Sequence, residues 1–200
     1  MSESLILVTG FGPFEAVQNN PSADVAQALA ATPPAELPAG VSVACAVLPT
    51  SFARSAVELD AHWRAREPSL LLSLGVQSKG GTSFRLERRA ARLLAGRTDI
   101  DGREAQELTG GERRTSLDLS RLAIELASAG AHEVTISDDA GGYVCERVYH
   151  YGLGRAAEHG VPALFLHLPP EAHVATPQQI EVVARFLPRL ARCAGLSPAQ

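Results

Sequence analysis

Nearly continuous apolar runs alternate with amphipathic stretches along most of this chain, and this alternation constrains its fold more than any other feature. Strands that are apolar on both faces are typical of parallel sheets that helices cover on both sides. The predicted strands are 4–9, 41–48, 69–74, 132–136 and 163–168, and the predicted helices are 20–31, 51–67, 117–128, 143–159 and 177–193. The pattern predicts an α/β chain, a three-layer α/β/α sandwich with a mostly parallel central sheet and functional groups at the carboxyl ends of its strands.

Composition and charge narrow the class of protein. The chain has 200 residues, 46% of them hydrophobic, and no Pro/Gly/Ser-rich linker divides it, so we expect a single domain over 1–200. A net charge of -4 with scattered arginines argues against nucleic acid as a partner. No apolar run is long enough for a signal or membrane helix, and the three cysteines have no metal-ligand spacing. These features predict a cytoplasmic protein with no membrane partner, no metal and no disulfide framework.

Two segments depart from the alternation. Residues 82–95 mix strand and helix periodicity, and the alternation that follows a Lys-Gly-Gly turn favours extended structure around Leu86 and Glu87. Residues 96–116 are polar and glycine-rich and span about twenty residues, which exceeds ordinary loop lengths. We therefore expect a mobile, functional loop over a site.

The turn before the fourth predicted helix places a cysteine, Cys145, in the first helical turn. Asp138 or Asp139 is expected to cap the helix, and the helix dipole favours the thiolate, the form that attacks carbonyl carbon. Gly141 and Gly142 leave space for a substrate, and free backbone amides at the helix start would hold an oxyanion. A lone cysteine beside an apolar run is more often a small core residue. Partners must therefore decide between a nucleophile and a core position.

Two such partners stand out. His167 lies at the exit of the last predicted strand, fixed by two prolines, where a group that titrates near neutral pH can act as a base. Glu87, set between Leu86 and Arg88, is the candidate that would orient the imidazole. A structural histidine and a salt-bridged glutamate are the alternative interpretations.

The first predicted strand ends in a turn that carries Gly10, Phe11, Gly12, Pro13 and Phe14. Two glycines after a strand suggest a dinucleotide-binding loop, but the third glycine of that fingerprint is absent and a proline has no amide for a phosphate. The two phenylalanines are either walls of a small apolar pocket or plugs between helix and sheet.

Five groups of residues together resemble pyroglutamyl peptidase I, the pyrrolidone-carboxylate peptidase family of cysteine peptidases. The resemblance runs in order along nearly the whole chain, and its glutamate and cysteine motifs are specific when taken together. The matching groups are Gly10-Phe11-x-Pro13-Phe14, Asn20-Pro21-Ser22, Leu86-Glu87-Arg88, Ala140-Gly141-x-Tyr143-x-Cys145 and Phe165-x-His167-x-Pro169.

The resemblance implies a function and a role for each matching residue. It implies removal of N-terminal pyroglutamate from peptides and proteins through a thioester acyl-enzyme, without metal or cofactor, by a homo-oligomer (a dimer or a tetramer). The family fold is a three-layer α/β/α sandwich. The implied catalytic residues are Cys145 as nucleophile, His167 as general base and acid and Glu87 as third member; Arg97 lies near the oxyanion, and Phe11, Phe14, Tyr143 and Val144 line the ring pocket.

The chain departs from the family pattern at two places. Glu146 follows the cysteine where the family usually has asparagine, and Arg92 stands where it has asparagine five residues after the glutamate. The turn at residues 75–80 follows the family's glycine-rich turn only loosely. Two other functions stay open on these grounds, a thiol-dependent amidase or esterase of different specificity and a catalytically silent small-ligand-binding protein.

Overall fold

Six strands of the computed structural model, which describes residues 3–14, 20–77, 80–91 and 93–196, form one sheet in the order β2-β1-β3-β8-β4-β7. The strands are β1 (Ser4–Phe11), β2 (Val41–Leu48), β3 (Leu70–Val76), β4 (Phe84–Glu87), β5 (Arg89–Ala90), β6 (Arg113–Arg114), β7 (Val134–Ser137) and β8 (Ala163–Leu168). The helices are α1 (Pro21–Ala31), α2 (Arg54–Arg66), α3 (Leu119–Ser128), α4 (Val144–His159) and α5 (Thr176–Cys193). The predicted elements agree with these bounds within three residues.

Both faces of the sheet carry an apolar core, as the continuous apolar strands predicted. Ile6 and Val8 lie in the cluster formed with α1, α3 and α5, whereas Leu7 between them lies in the cluster formed with α2 and α4. Because side chains of a strand alternate between faces, an apolar strand fills both clusters at once. The three-layer α/β/α arrangement is confirmed.

The sheet is mostly parallel but not wholly so. β1, β2, β3 and β8 run in one direction, while β4 pairs antiparallel with β8 and parallel with β7. β4 and β7 therefore run opposite to the other four strands. Glu87 is the last residue of β4, at the carboxyl end of its strand as expected, but it faces β8 across an antiparallel ladder.

Gly10 explains how α1 reaches the sheet. A Cβ at this position would lie 2.2 Å from the backbone oxygen of Ser22, in the first turn of α1. Asn20 caps the helix, since its side chain accepts a hydrogen bond from the Ser22 amide. The glycine that resembled part of a phosphate loop is thus a site of close packing between strand and helix.

The segment 82–116 contains more structure than its sequence indicated. Extended structure around Leu86 and Glu87 is confirmed by β4, and β5 pairs with β6. The long polar segment contains the isolated bridge between Thr98 and Glu104 in addition to β6. Its mobility stays a prediction.

In the part of the chain that the structure describes, no helix has the length and apolar character needed to cross a membrane.

Candidate active site

Glu87 and His167 form a buried pair on neighbouring strands. In the β4–β8 ladder Arg85 stands opposite His167 and Glu87 opposite Phe165, so Glu87 lies diagonally from His167 on the same face of the sheet. The distance between His167 Nδ1 and Glu87 Oε1 is 2.8 Å, and the two residues are 4% and 0% exposed. Because a carboxylate only accepts hydrogen bonds, Nδ1 carries the proton and Nε2 remains as the basic nitrogen.

The backbone and side chain of Glu87 have further partners. Tyr149 on α4 donates its hydroxyl proton to the Glu87 carbonyl oxygen at 2.8 Å, which ties the helix to the end of β4. Arg85 Nη2 lies 3.3 Å from Glu87 Oε1. Only the fold brings Tyr149 to Glu87, whereas Arg85 lies two residues before Glu87 on the same strand.

Cys145 occupies the first turn of α4, as predicted, but its cap differs from the prediction. Tyr143 is the N-cap residue and no side chain caps the helix. Asp139 accepts a hydrogen bond from the Gly141 amide at 3.0 Å, and Asp138 pairs with Arg88. Two glycines with positive φ, at 141 and 142, separate these acids from the helix start, so their side chains bond within the turn and its neighbours instead.

The surroundings of Cys145 oppose the thiolate that the helix dipole favours. Burial, followed by the negative charges of Glu87 and Glu146, raises the pKa of Cys145 to about 12, while Arg97 acts in the opposite direction. The helix start therefore does not outweigh burial and two carboxylates. A nucleophile of this kind needs a base that removes its proton as it attacks.

Gly75 on β3 brings the sulfur close to the sheet and was not singled out from the sequence. A Cβ there would lie 3.0 Å from Cys145 Sγ and 2.8 Å from the ring of Phe165. In the β3–β8 register Gly75 stands opposite His167. Because glycine has no side chain, the sulfur can lie against β3, next to β8, which carries the base.

Cys145 and His167 line the same cavity, and no hydrogen bond joins them among the described residues, as is common before substrate binds.

The cavity at Cys145 is small, about 160 Å³. Phe14 and Tyr143 line it, as the resemblance implied, whereas Phe11 and Val144 are fully buried in the apolar cluster with α2 and α4 and are not part of its lining. Its lining residues are Phe14, Val76, Gln77, Arg85, Leu94, Arg97, Asp139, Ala140, Gly141, Tyr143, Cys145 and His167.

Arg97 and Tyr143 form the outer wall of this cavity. The guanidinium carbon of Arg97 lies 4.1 Å from the centre of the Tyr143 ring, which is a cation–π contact. The Tyr143 hydroxyl donates to the Thr98 carbonyl oxygen at 2.9 Å. The loop that carries Arg97 is thereby attached to the start of the cysteine helix.

Glu146, the residue that departs from the family pattern, is buried and bonded to backbone. It accepts hydrogen bonds from the Ala91 amide at 2.6 Å and from the Gly142 amide at 3.2 Å. The carboxylate therefore connects the chain after β5 to the turn before α4. The other departure, Arg92, lies outside the described residues, as do Ser78 and Lys79 of the loosely matching turn.

A family model described as pyroglutamyl peptidase matches residues 4–184 of the chain. The chain belongs to the pyroglutamyl peptidase family. The match covers every strand and four complete helices, together with Glu87, Cys145 and His167.

Named relatives and solved structures agree with this assignment. Pyrrolidone-carboxylate peptidase 1 of Ralstonia nicotianae is 34% identical over 176 residues, which cover 82% of this chain and 77% of that protein. A pyrrolidone-carboxylate peptidase of Deinococcus radiodurans is 33% identical over 182 residues, covering 85% and 80%. The pyrrolidone carboxyl peptidase of Fervidobacterium islandicum AW-1 superposes with a TM-score of 0.82 at 26% identity, covering 94% of this chain and 99% of that one. At 22% identity, pyroglutamyl peptidase I of Bacillus amyloliquefaciens has the same fold, with a TM-score of 0.82 over 95% and 98% of the two chains.

Proposed function

We propose that this chain is a cysteine peptidase that removes N-terminal pyroglutamate from peptides and proteins through Cys145, His167 and Glu87. The single observation that supports it most is the 2.8 Å bond between His167 and Glu87 beside the cavity that Cys145 lines. Family membership adds the substrate class, since the relatives are named for pyrrolidone-carboxylate, the pyroglutamyl group.

Substrate binding in this proposal follows from the chemistry of the pyroglutamyl group. Its α-nitrogen is locked in a lactam, so no ammonium group is available for recognition. A small cavity with aromatic walls at Phe14 and Tyr143 suits the flat ring. Backbone groups that pair with the lactam N–H and C=O would discriminate against proline, which would leave a polar partner unsatisfied.

The chemical step begins when His167 Nε2 takes the thiol proton as Cys145 Sγ attacks the pyroglutamyl carbonyl carbon. The electron pair of the carbonyl moves onto its oxygen, near the guanidinium of Arg97 and the amides at the start of α4. The tetrahedral intermediate collapses with cleavage of the C–N bond, and the imidazolium gives its proton to the leaving amine. Water, deprotonated by His167, then attacks the thioester and releases pyroglutamate and the free thiol.

This mechanism explains why a pKa of about 12 for Cys145 is compatible with activity. The neutral thiol loses its proton only when a substrate carbonyl is in place, so general-base catalysis replaces a standing thiolate. Glu87 stabilises the imidazolium that forms and keeps the ring in the required tautomer.

Hydrolysis of pyroglutamyl-aminomethylcoumarin tests the function directly. We expect turnover by the wild type, none by Cys145→Ser, and little on the matching prolyl compound, whose ring lacks the lactam oxygen. Alkylation of Cys145 without turnover would favour a thiol hydrolase of other specificity. Absence of both reactions would favour a silent ligand-binding protein.

Three broader properties belong to the same proposal. Strands from both ends of the chain, β1 and β8, share one sheet, which supports a single domain. The three cysteines are unpaired, which supports a cytoplasmic location. The family resemblance alone supports a homo-oligomer (a dimer or a tetramer), and light scattering on the purified protein tests the subunit count.

A further inference from the structure

Arg85 contacts Glu87 of the proposed triad and the segment that leads to Cys145. Its Nη2 atom lies 3.3 Å from Glu87 Oε1 and donates hydrogen bonds of 2.8 Å to the Ser137 hydroxyl oxygen and the Asp139 carbonyl oxygen. Ser137 ends β7, and Asp139 begins the turn that leads to Cys145. One guanidinium nitrogen therefore joins the carboxylate of the triad to the segment that positions the nucleophile.

The burial of Glu87 makes this contact important. The carboxylate is 0% exposed, and its Oε2 atom has no hydrogen-bond partner among the described residues. A buried carboxylate is costly unless a positive charge lies beside it. His167 supplies that charge only while it is protonated, whereas arginine stays charged throughout. Within the described chain, Arg85 is the only permanently charged partner of Glu87.

We propose that Arg85 is a positioning residue that supplies a permanent positive charge beside the buried Glu87 side chain and keeps it aimed at His167 Nδ1 while the imidazole cycles between its neutral and charged forms. This role rests on the proposed function. Arg85 lines the cavity but acts through Glu87, so its loss lowers kcat more than it changes KM. A lysine keeps the charge at this position and retains most of the effect, although it lacks the planar fork of arginine.

Arg88 provides a matched control. It lies directly after β4 and forms an ion pair of 2.6 Å with Asp138, in the same turn that Arg85 holds, and among the described residues its side chain forms no ion pair with Glu87. Removal of Arg88 therefore weakens the attachment of the turn without changing the charge beside the buried carboxylate. The pair of variants separates an effect through Glu87 from an effect on the turn alone.

The experiment compares kcat and KM of wild type, Arg85→Gln, Arg85→Lys and Arg88→Gln on pyroglutamyl-aminomethylcoumarin, with thermal unfolding of each. We expect Arg85→Gln to lower kcat at least about tenfold with KM within about twofold. Arg85→Lys should keep at least about a third of kcat, and Arg88→Gln should stay within about twofold of wild type. In a Glu87→Gln background, where no charge remains to be held, adding Arg85→Gln should cost less than about twofold.

Four results would overturn this role. They are an unchanged kcat in Arg85→Gln, an equal loss in Arg88→Gln, an undiminished loss in the Glu87→Gln background, and a change confined to KM. If Arg85→Gln does not fold, Arg85→Lys decides, because a folded lysine variant with kcat below about a tenth of wild type also contradicts the role. Turnover by the wild type separates the two proposals, since its absence rejects the proposed function itself.

Discussion

The cavity at Cys145 has two walls of different construction. The sheet wall consists of residues in strand ladders: His167 lines the cavity, and Gly75 and Glu87 lie buried behind it. The loop wall, formed by Arg97, Leu94 and Tyr143, lies outside the main sheet and is held by the backbone hydrogen bond from the Leu94 amide to the Gly142 carbonyl oxygen and by the side-chain contacts of Tyr143, and Leu94 is 44% exposed. The proposed proton transfer lies on the sheet wall and the proposed ring recognition on the loop wall. Substitutions in the sheet wall should therefore lower mainly kcat, and substitutions in the loop wall should raise mainly KM.

Replacement of the nucleophile should have the largest effect. We expect Cys145→Ser to fold normally and to lose activity by more than about 10³-fold, since a hydroxyl is a poorer nucleophile beside the same base. Cys45→Ser and Cys193→Ser are the controls, because both lie against the apolar core on the opposite face of the sheet. Activity of Cys145→Ser above about a tenth of wild type would exclude Cys145 as the nucleophile.

The two other triad residues should rank in a definite order. His167→Ala removes the base and should lower kcat by about 10²–10⁴-fold. Glu87→Gln keeps an acceptor near Nδ1 and should lose less. Steady-state kinetics on the same substrate compare them. Equal losses would contradict the assignment of Glu87 to orientation, and a Glu87→Gln protein with lower thermal stability but full activity would make Glu87 a structural residue.

Gly75→Ala probes the sheet wall without changing any polar group. The added methyl group would meet both Cys145 Sγ and the Phe165 ring within 3.0 Å, so we expect kcat to fall about tenfold and the free energy of unfolding to fall by about 1–3 kcal/mol. Gly12→Ala is the control, since a Cβ there would meet only the Leu48 carbonyl oxygen at 3.9 Å. Kinetics and thermal melts give the two readouts. Similar losses in Gly75→Ala and Gly12→Ala would mean that close packing of the sulfur against Gly75 does not affect activity.

The pKa of Cys145 predicts how alkylation depends on pH. With a pKa of about 12, the rate of reaction with iodoacetamide should rise about tenfold per pH unit up to pH 10 without a plateau. Glu146→Gln removes a negative charge that raises this pKa, so the rate at a given pH should increase, by about threefold. The measurement uses a protein with serine at positions 45 and 193. A plateau below pH 9 would mean that the resting residue is a thiolate.

The smallest effect is expected on the loop wall, at Asp99. This buried carboxylate accepts hydrogen bonds from the amides of Phe52, Asp101 and Arg103, and although burial opposes them, these bonds lower the pKa of Asp99. Asp99→Ala should lower the free energy of unfolding by about 1–3 kcal/mol and raise KM about twofold to threefold.

Trypsin digestion provides the structural readout for that variant. The expected order is faster cleavage in Asp99→Ala than in wild type, and slower cleavage in both when a pyroglutamyl inhibitor is bound. Between residues 103 and 114, trypsin can cleave after Arg103, Arg113 and Arg114. A cleavage rate that the inhibitor does not change would mean that this loop lies away from the substrate-binding cavity.

The strand and helix order could be predicted from the sequence because it depends on local periodicity. The same holds for the placement of Cys145 in a helical first turn and of His167 at the end of a buried strand, since each is decided by the residues around it. Helix caps are harder to predict from sequence, because the start of α4 depends on the conformation of the preceding turn, where Gly141 and Gly142 have positive φ.

Only the tertiary structure decided the contacts between distant segments. The reversal of β4 places Glu87 diagonally from His167, and β3 places Gly75 next to Cys145. The sequences of β3 and β4 do not indicate which segments lie beside them. Phe14 lines the cavity, whereas Phe11, three residues earlier, is fully buried in the apolar cluster with α2 and α4. The direction of the Cys145 pKa shift differs from the prediction for the same reason. Local sequence determines the helix dipole, whereas burial and the charges of neighbouring carboxylates, which raise the pKa here, exist only after the chain has folded.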